Sequence, residues 1–166
     1  MAQYWFHYLY NYFPFDNHEG EWEMIEVLID FDKFQENGIN TIPEIAAYSR
    51  HNGGEPRYWR DIETLVDFET FKETHPVVYV ALWSLAAYFD KGPFGWHLNF
   101  DRTNKGIGPK ISNTTLIVDQ SWLKFGGNWG YVHPSMYEDG PEGPKYKGDK
   151  WFEPADWGLS LLTVNP

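Results

Sequence analysis

Residues 13–30, FPFDNHEGEWEMIEVLID, place four carboxylates and one histidine directly before an apolar, strand-like run. The five side chains are Asp16, His18, Glu19, Glu21 and Glu23. Side chains of these types could bind a divalent cation, could work as a pair of catalytic acids, or could be an acidic loop edge that only faces water. Since side chains alternate along a strand, Glu21 and Glu23 share one face with the apolar residues from Ile25 onward.

Two carboxylates on an inward-facing strand surface need a positive partner. Burying both anions is costly unless a cation or a shared proton lies between them. Asp16 and His18 come from the segment just before, where Gly20 allows a sharp turn of the backbone. Oxygen ligands with one imidazole suit Ca²⁺ or Mg²⁺ best, with Mn²⁺, Fe²⁺ and Zn²⁺ as alternatives. A solvated acidic edge explains the same residues equally well, so the residues alone leave both interpretations open.

Three further residues extend the candidate site. The segment EIAAYSRHNGG puts His51 at the end of a second predicted strand, where it could complete a coordination sphere, shuttle a proton, or only cap the turn. Asp101, in the acidic and turn-rich segment NFDRTNKG, is a candidate extra ligand. Glu19 or His51 would be the general base if a bound ion activated a water molecule.

Tryptophan is well suited to stack on a sugar ring, because it offers a large rigid surface at a low cost in conformational entropy. The candidates for ligand stacking are Trp59, Trp96 and Trp129, with Trp151 as a further one. For most of them, packing in the core or between loops is the simpler explanation. An exposed tryptophan beside the cation site would separate the two interpretations.

The pattern of apolar residues predicts a mainly β fold in one domain over residues 1–166. Predicted strands cover 4–13, 21–30, 44–51, 75–83 and 114–119. Short helical turns are predicted at 30–38, ending at Gly38, and at 61–73. The C-terminal third is rich in Gly, Pro and Trp, which is typical of long surface loops held by aromatic side chains. These features favour a β-sandwich with short helices and long Gly/Pro/Trp-rich loops.

The chain is acidic, since 24 Asp and Glu against 13 Lys and Arg give a formal net charge of −11. Such a charge disfavours nucleic acid and bare anionic membrane as partners and favours a cation. The absence of cysteine excludes disulfides and thiolate metal sites. The longest apolar run, at 77–89, is too short for a transmembrane helix. No signal peptide is visible, and a secreted and a cytoplasmic location are both left open.

Several motifs resemble those of the Vps62-like (vacuolar protein sorting protein 62) family. The segments that carry the resemblance are QYWFHYLYN, NHEGEWEMIEV, YSRHNGGEPRYW, HPVVYVALWSLAAYF and FGGNWG followed by GPEGP. They cover nearly the whole chain in the order of the family. The family's GSHA motif departs here, because Leu85 stands at its histidine and Trp83 at its glycine. The missing histidine weakens a catalytic role more than a binding role.

A second, more distant resemblance is to the necrosis- and ethylene-inducing (NLP) proteins, which are β-sandwiches that bind a divalent cation and recognise plant sphingolipid sugars. YFPFD, ending at Asp16, is similar to the segment with their metal-binding aspartate, and NHEGEWE is similar to their heptapeptide GHRHDWE. The resemblance implies that four residues bind a divalent cation, with His51 close by. These four are Asp16, His18, Glu21 and Glu23. Two departures are Gly20 in place of the second histidine and Glu21 in place of a shorter aspartate.

Together these observations predict a divalent-cation-binding β-sandwich protein that recognises a glycan or another small-molecule ligand, including a glycolipid headgroup. The alternative is a metal-dependent enzyme of hydrolase type that uses a metal-bound water with His51 or Glu19 as base. A third interpretation treats the cation as a structural staple of an interaction module. A metal-free glycosidase pair of Glu21 and Glu23 is disfavoured, because residues two apart on one strand rarely flank a substrate from opposite sides.

Overall fold

The computed structural model describes residues 1–13, 16–50, 53–67, 69–70, 72–94, 101–104, 114–131 and 139–164. Its largest element is a four-stranded antiparallel sheet in the order β1–β2–β3–β4. The four strands are β1 Ala2–Phe13, β2 Asp16–Leu28, β3 Ile45–Arg50 and β4 Gly53–Tyr58. Each strand pairs with the next one along the chain, so the sheet is a meander whose edges are β1 and β4.

Six short strands form three antiparallel pairs, β5 with β6, β7 with β8 and β9 with β10. They are β5 Thr64–Val66, β6 Glu73–Pro76, β7 Tyr79–Val80, β8 Ala87–Tyr88, β9 Gly92–Phe94 and β10 Asp101–Thr103. The helices are α1 Phe31–Asn37, α2 Asp149–Phe152 and α3 Pro154–Val164. The prediction of a mainly β fold is confirmed. The sandwich arrangement stays a prediction.

One face of the large sheet carries the main apolar core. Its members are Ile25, Val27, Ala46, Tyr48, Trp59, Ala87 and Phe89. The register places Ile25 opposite Tyr48 and Val27 opposite Ala46, so β2 and β3 contribute neighbouring side chains. The rings of Tyr48 and Phe89 stack at 3.7 Å between centroids, which joins β3 to the segment after β8. The apolar side chains of the predicted strand at 21–30 therefore belong to the core, as expected from their alternation.

The opposite face of the sheet is covered by α3. The ring of Trp157 and the side chain of Leu161 lie over Gly54 of β4, where an added Cβ would come within 3 Å of both. Gly158 lies directly over the carboxylate of Glu26, and Glu26 has no exposed surface. Both faces of β2 are thus buried, so the carboxylates of this strand need partners or must be neutral.

The predicted strands at 4–13, 21–30 and 44–51 are confirmed as β1, β2 and β3, and the helical turn at 30–38 as α1. In α1 the Asp30 side chain accepts a hydrogen bond from the Lys33 N–H at 2.9 Å, and Gly38 ends the helix with φ of 58°. No helix among the described residues is long and apolar enough to cross a membrane.

Three local predictions are wrong. The segment 61–73 contains β5 and the start of β6 instead of a helical turn, because the Asp67 side chain accepts the N–H groups of Glu69 and Thr70 and forms a turn. The segment 75–83 is not one continuous strand but is divided between β6 and β7. The described part of 114–119 contains a 3₁₀ turn at Ile117–Asp119.

Candidate functional site

The candidate site lies where β1 and β2 approach their connection. The register pairs Asn11 with His18, and both side chains are buried. His18 Nε2 lies 3.4 Å from Glu21 Oε2, and Asn11 Nδ2 donates to the same oxygen at 3.1 Å. An imidazole, a carboxylate and an amide therefore converge in a space that is shielded from water.

Gly20 makes this convergence possible. Its φ of +75° breaks the regular extended backbone of β2, and the pair that it would form with Leu9 is missing from the ladder. As a result, the side chains of His18 and Glu21 meet on one side. Regular alternation would place residues three apart on opposite faces. Gly20 also lies against the backbone oxygen of Trp129, so a side chain has no room there.

Glu21 is held in its charged form. Burial alone would raise its pKa, but hydrogen bonds with His18 and Asn11, the charge of Lys147 and the backbone N–H of Trp22 together lower the pKa below its usual value. The Trp22 N–H donates to Glu21 Oε1 at 2.8 Å. Four groups thus favour the carboxylate over the neutral acid, as expected for a residue that pairs with a cation.

Glu23 lies two residues after Glu21 in β2, is buried, and is hydrogen-bonded to Ser49 of β3. The Ser49 hydroxyl donates to Glu23 Oε2 and accepts the Met24 N–H at 2.9 Å. The last backbone pair between β2 and β3 is Ile25 with Tyr48. Just beyond this pair, the Ser49 hydroxyl accepts the Met24 N–H in place of a backbone carbonyl. Glu23 is therefore fixed by a contact that sequence alone did not indicate.

A lysine supplies positive charge beside the two glutamates. Burial lowers the pKa of Lys150 in α2, while the charges of Glu23 and Glu21 act in the opposite direction. Burial also raises the pKa of Tyr8 to about 12, and Glu23 and Glu21 add to that rise. Both carboxylates are therefore close enough to one ammonium and one phenol to influence their protonation. Lys150 was missed at the sequence level, because it lies far along the chain in a helix that was not predicted.

The predicted ligand set is only partly described by the structure. His18 and Glu21 are brought together, whereas the side chain of Asp16 and the whole of His51 lie outside the described residues. Within the described residues, no group of three His, Cys, Asp or Glu side chains is arranged to hold a metal ion. The donor types at His18 and Glu21 fit a divalent cation. A four-residue cation site therefore stays a prediction.

The two additional acidic candidates have structural partners. Glu19 is exposed, and its Oε2 accepts the N–H of Tyr131 at 3.1 Å, which ties β2 to the segment after Trp129. Asp101 is buried, and its Oδ2 accepts the hydroxyl of Tyr88 at 2.6 Å. Burial raises the pKa of Tyr88, and Asp101 and then Glu23 contribute to the rise. The bond to Tyr131 makes Glu19 a tether in this structure, which does not favour a role as general base.

The tryptophans singled out for ligand stacking are used differently. Trp59 is 5% exposed and donates from Nε1 to Glu73 at 2.9 Å, so its ring is not available to a ligand. Trp129 packs against other aromatic rings in a cluster of His7, Trp22, Trp122 and Phe125. Trp151 packs against Trp5 with 6.1 Å between centroids. Trp96 lies outside the described residues.

A different pair of aromatic residues is exposed beside the site. Tyr12, directly after Asn11, is 63% exposed, and Trp83 is 43% exposed. The Tyr12 N–H donates to the Trp83 carbonyl at 3.0 Å, so the two residues are adjacent although 71 positions separate them. Tyr10 packs on Tyr12 with 4.4 Å between ring centroids. The position of Trp83 is one that sequence analysis noted only as a departure from a family motif.

Comparison with known proteins finds no matching family model, no matching curated protein and no matching solved structure, so the resemblances to the Vps62-like and NLP families stay predictions.

Proposed function

We propose that this protein binds a divalent cation at the β1–β2 end of its sheet and uses that site to recognise a glycan or a glycolipid-type headgroup. The observation that carries the proposal is the buried contact between His18 Nε2 and Glu21 Oε2, 3.4 Å apart, with Glu21 held in its charged form. A charged carboxylate and an imidazole that face each other in a buried site are the start of a coordination sphere.

The remaining ligands would come from the two ends of the same segment. Asp16 begins β2, and Glu23 lies two residues beyond Glu21. Glu23 would either give up its hydrogen bond to the Ser49 hydroxyl and coordinate the ion, or keep this hydrogen bond and stay as a negative charge beside the ion. A bound cation supplies a Lewis-acidic centre to which neighbouring sugar hydroxyls can bind directly. Lys150 would then act as a competitor, because its ammonium partly neutralises the same carboxylates.

The exposed aromatic pair supports a sugar ligand. Tyr12 and Trp83 are both exposed and are joined through their backbones next to Asn11, so they offer aromatic surface at the same end of β1. Sugar rings commonly pack their C–H faces on such rings while their hydroxyls bind polar groups. The exposed aromatic pair and the polar site thus belong to the same end of the sheet, which is the feature that favours a sugar ligand.

The proposal is tested by measuring metal content and metal affinity. We expect about one Ca²⁺, Mg²⁺ or Mn²⁺ per chain in protein purified without chelator, and calorimetric titration of the chelated protein should recover the same stoichiometry. Glu21→Gln should weaken binding at least about tenfold, because it removes the charge of a buried ligand. Glu36→Gln, on exposed α1, removes one charge elsewhere and should leave affinity unchanged.

Glycan binding is tested on an array with and without the bound ion. Binding that requires the ion and is reduced by Trp83→Ala would support the proposal. Zinc or iron at full occupancy would favour the hydrolase alternative instead. The proposal is wrong if neither the parent nor Glu21→Gln binds a divalent cation and the two are equally stable. The cluster would then be a buried polar network without a cation.

A further inference from the structure

The outer edge of β1 is long and lacks a described partner over most of its length. The Tyr12 N–H bonds to the Trp83 carbonyl and therefore points away from β2. Because backbone groups alternate in direction along a strand, the N–H and C=O groups of the alternate residues before Tyr12 point the same way. These residues are Ala2, Tyr4, Phe6, Tyr8 and Tyr10. No described residue forms a main-chain hydrogen bond with their outward groups.

In the described part of the chain, this edge carries none of the usual features that prevent strand pairing. Natural edge strands are protected by lysines, prolines, bulges or covering elements. Residues 1–13 contain no Lys, Arg, Asp, Glu or Pro, although the whole chain has a net charge of −11. The register with β2 keeps one value over its whole length, so no residue is inserted into β1. β1 therefore adds no charged side chain of its own that would repel a second copy.

We propose that two copies of this chain pair through their β1 edges, antiparallel and related by a twofold axis that passes beside His7. Four of the outward-facing residues are aromatic, Tyr4 to Tyr10, and they are centred on His7, so this register pairs each of them with another aromatic residue. Tyr4 pairs with Tyr10 of the second copy and Phe6 pairs with its Tyr8, while Ala2 lies opposite Tyr12 and stays unpaired. The pairing ends at Tyr10, since Trp83 already occupies the Tyr12 N–H.

The dimer is a single sheet in the order β4–β3–β2–β1–β1–β2–β3–β4. A twofold axis perpendicular to the sheet keeps the same faces together, so the α3-covered face of one copy continues into that of the other. His7 lies opposite His7 of the second copy in a pair without mutual hydrogen bonds, where the two Cα atoms are about 4.5 Å apart. His7 is exposed on one side in the single chain, while its ring packs against Trp22 and Trp129 on the other.

Single cysteines test this register directly, because the chain contains no other cysteine. His7→Cys should form a disulfide-linked dimer under mild oxidation, since a Cα separation of about 4.5 Å is within the range for disulfides. Leu9→Cys is the matched control. Leu9 is 85% exposed, but in this register it faces Trp5 of the second copy. The two Leu9 Cα atoms are then about 13 Å apart, so cross-linking should be at least about tenfold slower.

Sedimentation equilibrium tests the association without cross-linking. We expect a mass of twice the 19.5 kDa chain that falls on dilution. His7→Lys should raise the dimer dissociation constant at least about tenfold, because it sets two ammonium groups opposite each other, whereas His7→Gln should not. Thermal unfolding checks that each variant is folded. A chain that stays monomeric at every concentration, or equal cross-linking of Leu9→Cys and His7→Cys, would overturn the proposal.

Discussion

Gly158 of α3 packs directly on the carboxylate of Glu26 in β2, and neither Glu26 oxygen has a hydrogen-bond partner among the described residues. Burial raises the pKa of Glu26 to about 7, while the nearby Gln3 amide and the amino group of residue 1 oppose the rise by less. A carboxyl group in this position favours its neutral form. The packing of α3 on the sheet is therefore coupled to the protonation of one buried side chain.

This coupling predicts a pH dependence of stability. The pKa of Glu26 is higher in the folded chain than in the unfolded chain, so the folded state binds more protons between the two values. The free energy of unfolding should therefore fall as pH rises from about 4.5 to about 7, and this loss is complete above that range. Glu26→Met should remove the fall and gain up to about 3 kcal/mol at pH 8.

Urea unfolding at pH 4.5, 6 and 8 measures the effect of Glu26→Met. Glu26→Gln, which removes the charge but keeps a buried polar group, should recover only part of the gain. An equal effect of Glu26→Met at all three pH values would show that the carboxyl group does not titrate differently on folding.

Gly158→Ala should destabilise the protein although alanine favours helices. The added Cβ would collide with Glu26 Oε1, and the neighbouring Ala47 side chain leaves little room for adjustment. We expect a net loss of about 1–3 kcal/mol, as for overpacking in a core. Chemical denaturation of Gly158→Ala, Glu26→Ala and the double variant forms a cycle in which Glu26→Ala should relieve most of the loss. Additive effects would contradict a direct contact.

Gly20→Ala should cost more than Gly38→Ala, although both glycines have positive φ. Gly20 has φ of 75° and an added Cβ would overlap the Trp129 carbonyl, whereas Gly38 has φ of 58° with nothing within 4 Å. Gly38 also has ψ of −136°, a backbone conformation that is almost restricted to glycine, so Gly38→Ala should lose about 1–3 kcal/mol from strain alone. Gly20→Ala should lose clearly more and should also weaken cation binding, since it displaces His18 relative to Glu21. Equal melting temperatures of the two variants would contradict this geometry.

Ser49→Ala should destabilise the fold by about 1–3 kcal/mol, because it removes the hydroxyl that bonds both Glu23 and the Met24 N–H inside the protein. Ser84→Ala is a matched control, since Ser84 is also buried but its hydroxyl, among the described residues, accepts only the Ala86 N–H at 3.4 Å. Differential scanning calorimetry should show a clearly larger decrease in melting temperature for Ser49→Ala. Equal decreases would mean that the Glu23 contact contributes little.

Lys150→Met should increase the affinity of the proposed cation site. The variant removes the ammonium that faces Glu23 and Glu21 but keeps a long apolar side chain in its partly buried place. Calorimetric titration with Ca²⁺ should give a dissociation constant at least about threefold lower than that of the parent. Lys145→Met removes the same charge from a neighbouring 3₁₀ turn and serves as the control. Unchanged affinity in Lys150→Met would show that the lysine and the ion do not compete.

Local sequence patterns were sufficient for the central strands. The aromatic run at 4–13, the alternation of Ile25 and Val27, and the turn residues around Asp30 and Gly38 each act within a few residues, so β1, β2 and α1 could be predicted. The segment 61–73 could not, because one side-chain turn at Asp67 outweighed a weak helical pattern.

Hydrophobic period and residue type act locally, so they were enough to predict a mainly β chain and to locate the segment that holds the acidic residues and His18. The partners of these residues could be read only from the folded chain. His18 meets Glu21 through the positive φ of Gly20, Glu23 meets Ser49 from the next strand, and Lys150 approaches from a distant helix. The contacts of Glu23 and Lys150 join residues far apart along the chain, and they form only when several strands and helices pack together and remove water from between them.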